Sequence, residues 1–195
     1  LTNLLEASIE QAGYTSRKKV LTDVFLEVRK GELVGLIGAN GAGKSTAIKA
    51  ILGLSEDFKG HIAWNHCSFA YIPEHPSFYE ELTLWEHLDL ISTLHGIEES
   101  EFAHRAQSLL QTFSLDQVKH ELPVTFSKGM QQKLMLIQAF LSKPDMYLMN
   151  RLSALIRYRR NALWTCLRLK KNAEPEFLCA RMYSIPRKKS VTGFI

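Results

Sequence analysis

The chain has 195 residues, 46% of them hydrophobic, which is enough to bury a core as one domain with at most a subdomain. No run reaches the roughly 18 apolar residues a membrane helix needs, and the start, Leu1-Thr2-Asn3-Leu4-Leu5-Glu6, lacks a signal-peptide layout, so a cytoplasmic chain is expected. Cys67, Cys166 and Cys179 are odd in number and without metal-ligand spacing, and the seven histidines show none either, which argues against a disulfide framework and a zinc site; the formal net charge is +4.

In chain order, Leu4 to Ile9 alternates as a strand and Gly13-Tyr14-Thr15-Ser16 reads as a turn. Val24 to Val28 is a second strand, and Arg29-Lys30-Gly31-Glu32 links it to a third that ends at Ile37. After the loop 38–46, a helix begins at Ala47. Gly60 to Trp64 and Phe69 to Ile72 are short strands. Thr83-Leu84-Trp85-Glu86 has the layout of a capping box, in which a hydroxyl and a carboxylate each satisfy an orphan amide of the first turn. It opens a helix with Leu84, Leu88, Ile91 and Leu94 on one face and a stop at Gly96. A second helix, Glu101 to Phe113, aligns Phe102, Ala106, Leu109, Leu110 and Phe113. A third runs from Gly129 to Leu141 and ends before Lys143-Pro144, because proline disfavours helix at the residue before it. Met146 to Met149 returns to strand. The sum is a mixed α/β core with a helical insertion.

The chemistry sits in Gly38-Ala39-Asn40-Gly41-Ala42-Gly43-Lys44-Ser45-Thr46, between a strand and a helix. Glycines here let successive amides turn inward toward phosphate, and the following helix adds the positive end of its dipole. Lys44 supplies a point charge to the β- and γ-phosphates. Ser45 is the expected Mg²⁺ ligand, and Thr46 offers a further hydroxyl. This is a phosphate-binding P-loop, and ATP with Mg²⁺ is the expected ligand.

Three further motifs accompany it: Ala12-Gly13-Tyr14 before it, and Tyr71-Ile72-Pro73-Glu74 and Phe126-Ser127-Lys128-Gly129-Met130 after it, the last about 85 residues on. With these the body resembles the ATP-binding subunit of an ABC transporter, nearest to the bacterial Ecs type. The resemblance implies that Tyr14 stacks on adenine. It implies that Glu74 is the lid residue contacting Mg²⁺ and the attacking water, with glutamate where glutamine is usual. It also implies that Phe126, Ser127, Lys128, Gly129 and Met130 are the signature read by the opposite subunit's ATP. The implied partners are an integral-membrane transporter subunit and a second ATP-binding subunit in a head-to-tail dimer, on the inner face of the cell membrane. No nucleic-acid partner is expected.

The division implied is a P-loop core with an antiparallel β part over 1–82, a helical subdomain over 83–143, and the start of the Walker B strand over 144–149. There the resemblance stops. Met146-Tyr147-Leu148-Met149 should lead into Asp-Glu-Pro, whose acids hold Mg²⁺ and activate water, but the chain reads Asn150-Arg151-Leu152. Residues 150–195 hold eleven Lys and Arg against two Asp and Glu, which leaves thirteen against eighteen before them. The body is acidic and the tail is strongly basic.

Asn150 to Tyr158 can be encoded AAC CGT TTA TCG GCC TTG ATC CGA TAT. With a G in front, the other frame reads Glu-Pro-Phe-Ile-Gly-Leu-Asp-Pro-Ile, the missing motif. The same shift over Glu176 to Tyr183 yields Val-Phe-Met-Cys-Thr-His-Val, which carries the family's switch histidine. Loss of one of two tandem GATG copies in CTG ATG GAT GAA CCG would produce this junction. An out-of-frame tail is therefore expected, with the C-terminal part of the core missing. The alternatives are a non-catalytic nucleotide-binding module with a basic tail for RNA or acidic lipid, and a soluble ABC-type ATPase.

Overall fold

The computed structural model describes residues 3–15, 18–30, 33–37, 41–149 and 176–182. Two compact units divide the chain, one comprising 1–69, 145–152 and 174–195 and the other 70–144 and 153–173.

In the first unit β1 (Asn3–Thr15) pairs antiparallel with β2 (Lys18–Arg29) on one side and β4 (Asp57–Trp64) on the other, giving the order β2-β1-β4. Leu5, Ala7 and Ile9 are buried while Glu6, Ser8 and Glu10 are exposed, the period of two expected of a half-buried strand. The register then slips between Ile9 and Gln11, and the buried set moves to Ala12 and Gly13. Of the expected turn at Gly13-Tyr14-Thr15-Ser16, the first three residues are corrected here, and Ser16 lies outside the described residues. The strand runs on through it with further register shifts at Ala12/Gly13 and Gly13/Thr15, so glycine marks a bulge rather than a reversal.

A second sheet holds β3 (Leu33–Ile37), β5 (Phe69–Ile72), β6 (Met146–Met149) and β7 (Glu176–Met182) in the order β3-β7-β6-β5. β7 runs parallel to both neighbours, with Leu178 level with Val34 and Leu148, and Cys179 level with Gly35 and Met149. The sequence reading left no core strand after Met149, and β7 corrects it. The run Phe177-Leu178-Cys179-Ala180 is apolar, and a slot between two parallel strands selects for local apolar character rather than for the charge of the surrounding segment. The rest of the expected out-of-frame tail, 150–175 and 183–195, lies outside the described residues. Before β5 and β6, Ser68 donates from Oγ and N to Asp145 Oδ2 at 2.7 and 2.8 Å, which holds the Asp145 carboxyl below the usual carboxylate range.

The second unit contains α2 (Leu84–Leu94), α3 (Glu99–Phe113) and α4 (Lys128–Leu141). Its core joins Leu84, Leu88, Phe102, Ala106, Leu110, Phe113, Leu134, Ile137 and Leu141. Cations close two helix ends: Lys133 Nζ donates to the Phe113 carbonyl at 2.7 Å, and Arg105 donates to the Leu141 carbonyl.

The apolar face expected for α2 is rotated. Leu94 is 71% exposed, while His87 and Ser92 are buried with Leu84 and Leu88. The reason lies in what meets the helix: Leu84 and Trp85 donate their amides to the Glu121 and Lys119 carbonyls, and the Tyr79 amide donates to His87 Nε2 at 3.1 Å. With Nε2 accepting, Nδ1 donates to the Thr83 carbonyl at 2.8 Å, so both ring nitrogens of this core histidine are bonded.

Candidate functional site

The site is assembled at the start of α1 (Lys44–Ile51), which follows β3 in the first unit. Gly38, Ala39 and Asn40 lie outside the described residues, and the rest of the P-loop is described from Gly41 on. Gly43 is the N-cap residue, with φ 91°, a left-handed conformation that glycine adopts without steric penalty. Space enforces the same choice, since a Cβ there would stand 2.9 Å from Leu21 Cγ of β2. The loop is seated directly on the antiparallel ribbon. No side chain caps α1, and its first turn holds no acidic residue. Its positive end is therefore not offset by a carboxylate of that turn.

Lys44 and Ser45 open the helix and are half-buried. Thr46 is 2% exposed, and its Oγ1 is buried without a hydrogen-bond partner. A buried hydroxyl left unsatisfied costs about 1–3 kcal/mol, so such an atom signals a group that joins it from outside the chain. Phosphate oxygens suit it: they accept, and they sit where helix amides and a lysine converge. For Mg²⁺ the start of α1 offers a hard oxygen donor of the expected kind in Ser45. Among the described residues no group of three or more His, Cys, Asp or Glu is placed to hold a metal. A Mg²⁺ ion held mainly by phosphates and water fits that donor set.

Tyr14 lies in β1 just past the Gly13 bulge, and its side chain lies outside the described residues. Two braces on this bulge are not legible from local sequence. Ser55 donates to the Gly13 carbonyl at 3.1 Å, and Gln11 Nε2 donates to Asp57 Oδ2 at 3.0 Å. Both depend on the pairing of β1 with β4, which no local motif announces.

In the second unit Glu74 is half-buried two residues after β5. Ser127 is the N-cap of α4 and accepts the Met130 amide at 3.3 Å, with Phe126 buried and Lys128 exposed beside it. Gly129 and Met130 are half-buried in the first turn of that helix.

Known proteins resemble this arrangement. The sequence pattern of the ABC transporter family matches residues 21–150, and its match ends where the composition breaks. YthP of Bacillus subtilis (strain 168), an uncharacterized ABC transporter ATP-binding protein, is 96% identical over 150 residues, 77% of this chain and 64% of its own length. EcsA of the same strain, an ABC-type transporter ATP-binding protein, is 41% identical over 159 residues, 76% of this chain and 64% of its own. The Ecs likeness is thus the more distant of these two. The chain spans 64% of the length of both relatives. Among solved structures, the ATP-binding subunit of an ABC transporter superposes with a TM-score of 0.79 at 39% identity, covering 92% of this chain and 79% of that one. A nucleotide-free ATP-binding cassette from an ABC transporter, 21% identical, shares the fold with a TM-score of 0.70 over 92% of this chain and 81% of its own. With a family pattern spanning more than half of its residues, the chain belongs to the ABC transporter family.

Proposed function

We propose that this chain binds MgATP through Gly38 to Thr46, with Lys44 on the β- and γ-phosphates, Ser45 and Glu74 toward Mg²⁺ and Tyr14 under adenine. The observation that carries the reading is Thr46 Oγ1, buried and unpartnered at the start of an uncapped helix. By its family the chain is part of an ATPase. In that setting a second ATP-binding subunit packs head to tail, with Phe126 to Met130 of one facing the P-loop of the other. An integral-membrane subunit is driven by the pair, at the inner face of the membrane. No helix among the described residues is long and apolar enough to cross a membrane itself. An Ecs-type membrane partner is the finer reading, supported by the identity to EcsA.

Hydrolysis by this particular chain is a separate matter. β6 ends at Met149 and the sequence continues Asn150-Arg151-Leu152, without the carboxylates that would activate water. The proposed cause is an out-of-frame tail over 150–195. The family match that ends at residue 150 supports it. The expected behaviour is MgATP binding without turnover. Calorimetric titration should show binding that weakens more than about tenfold in Lys44→Ala, the scale of a lost charge-assisted contact. Phosphate release above that of Lys44→Ala would overturn the hydrolysis-deficient reading.

A further inference from the structure

Nucleotide recognition by this site requires the phosphate loop and the adenine platform to stand a fixed distance apart, and both ends of α1 are tied to the ribbon that carries Tyr14. At its start, Gly43 rests on Leu21 of β2, closely enough to leave no room for a side chain. Beyond its end the chain is locked by a paired set of backbone bonds. Leu54 donates to the Lys49 carbonyl at 2.8 Å and Gly53 to the Ala50 carbonyl at 3.0 Å, with Gly53 at φ 71°. This is a Schellman closure, which fixes the direction in which the chain leaves the helix. Ser55 is the next residue, and it is half-buried.

Its hydroxyl lies 3.1 Å from the Gly13 carbonyl oxygen and 3.4 Å from that of Asp57, so it bridges the exit of α1 to the bulge immediately before Tyr14. Gly13 is also the residue at which β1 loses regular pairing with β2, and Asp57, its partner in β4, is held in turn by Gln11. A bulged carbonyl lacks its full set of ladder bonds, and a hydroxyl that takes it up selects one bulge geometry.

We infer that Ser55 is a positioning residue for the adenine end of the nucleotide site, holding the Gly13 bulge so that Tyr14 stands at a fixed separation from the P-loop. The inference rests on the proposed role of Tyr14 under adenine. The bond acts on the base and not on the phosphates, because the phosphate loop has its own seat on Leu21.

Two ligands separate these effects: MgATP, which has a base, and magnesium tripolyphosphate, which has none. Both are titrated calorimetrically into the full chain and into Ser55→Ala, Ser55→Thr and Tyr14→Ala. Ser55→Ala should weaken MgATP binding by about threefold to tenfold, the range of one lost hydrogen bond, and change tripolyphosphate affinity by less than about twofold. Ser55→Thr, which keeps the hydroxyl, should bind both ligands as the parent chain does. Equal weakening of the two ligands in Ser55→Ala, or no weakening of either, would overturn the inference. Tyr14→Ala tests the reading beneath it. If that variant keeps the preference for ATP over tripolyphosphate, the adenine role of Tyr14 falls. If it loses the preference while Ser55→Ala keeps it, only the role of Ser55 falls.

Discussion

Two helices of this chain begin in opposite ways. α2 satisfies its own first turn: Thr83 Oγ1 accepts the Glu86 amide at 3.3 Å, and Glu86 Oε2 accepts from the Thr83 amide at 2.7 Å. α1 begins on a glycine with no side-chain cap, no acid in the first turn and one hydroxyl buried without a partner. The first arrangement is complete within the chain. The second leaves a buried donor open for a group from outside, and the contrast teaches that missing local stabilisation is itself a functional signal.

The largest expected effect comes from forcing a side chain into the second arrangement. Gly43→Ala puts a Cβ against Leu21 at a left-handed φ, and it should cost about 2–3 kcal/mol of stability and abolish measurable MgATP binding. Denaturant titration and calorimetry read the two losses. A variant of parent-like stability would break the contrast, since it would show that the loop is not seated on β2.

Altering the first arrangement should do the reverse, costing stability and sparing binding. Thr83→Ala is expected to lose about 1 kcal/mol, the usual worth of such a cap, with MgATP affinity unchanged. A pH series sharpens the point. The Thr83 hydroxyl, and after it the Thr83 amide, hold the Glu86 carboxyl below its ordinary value. A depressed carboxyl stabilises the fold above the unfolded value and loses that contribution as the pH falls through the folded one. The parent chain should therefore lose stability as the medium is acidified below the ordinary glutamate range. That part of the profile should flatten in Thr83→Ala, as followed by thermal denaturation, and an unchanged profile would remove Glu86 from the cap.

Much of this was legible in the sequence because it is written in local patterns. Thr83 and Glu86 stand at the spacing a first turn requires, Ser127 precedes a helix it caps, and Met146 to Met149 is an apolar run of strand length bounded by Asp145. What escaped depends on residues far apart in the chain. Gly13 looked like a turn because β4, whose Asp57 pairs with Gly13 and keeps β1 extended through it, lies more than forty residues on, as does Ser55. Leu94 looked buried because helical spacing ignores the 119–121 segment that meets the start of α2 from another side. β7 was hidden by the arginines around it, although four apolar residues in a row suffice for a strand between two others. The P-loop was read from its glycines, lysine and hydroxyls, but the orphaned state of Thr46 needed three dimensions.

Thr46 also provides the most direct test, because its two roles pull in opposite directions. Replacing a buried, unbonded hydroxyl by a methyl of the same shape removes a desolvation cost, while removing a donor that a phosphate would use. Thermal denaturation of the parent chain and of Thr46→Val, each with and without MgATP, measures both at once. The expected result is that Thr46→Val without nucleotide melts at or above the parent temperature, and that the upward shift given by MgATP in the parent is largely lost. A variant that melts lower without nucleotide, yet keeps the full MgATP shift, would contradict the assignment of this helix start as the seat of the triphosphate.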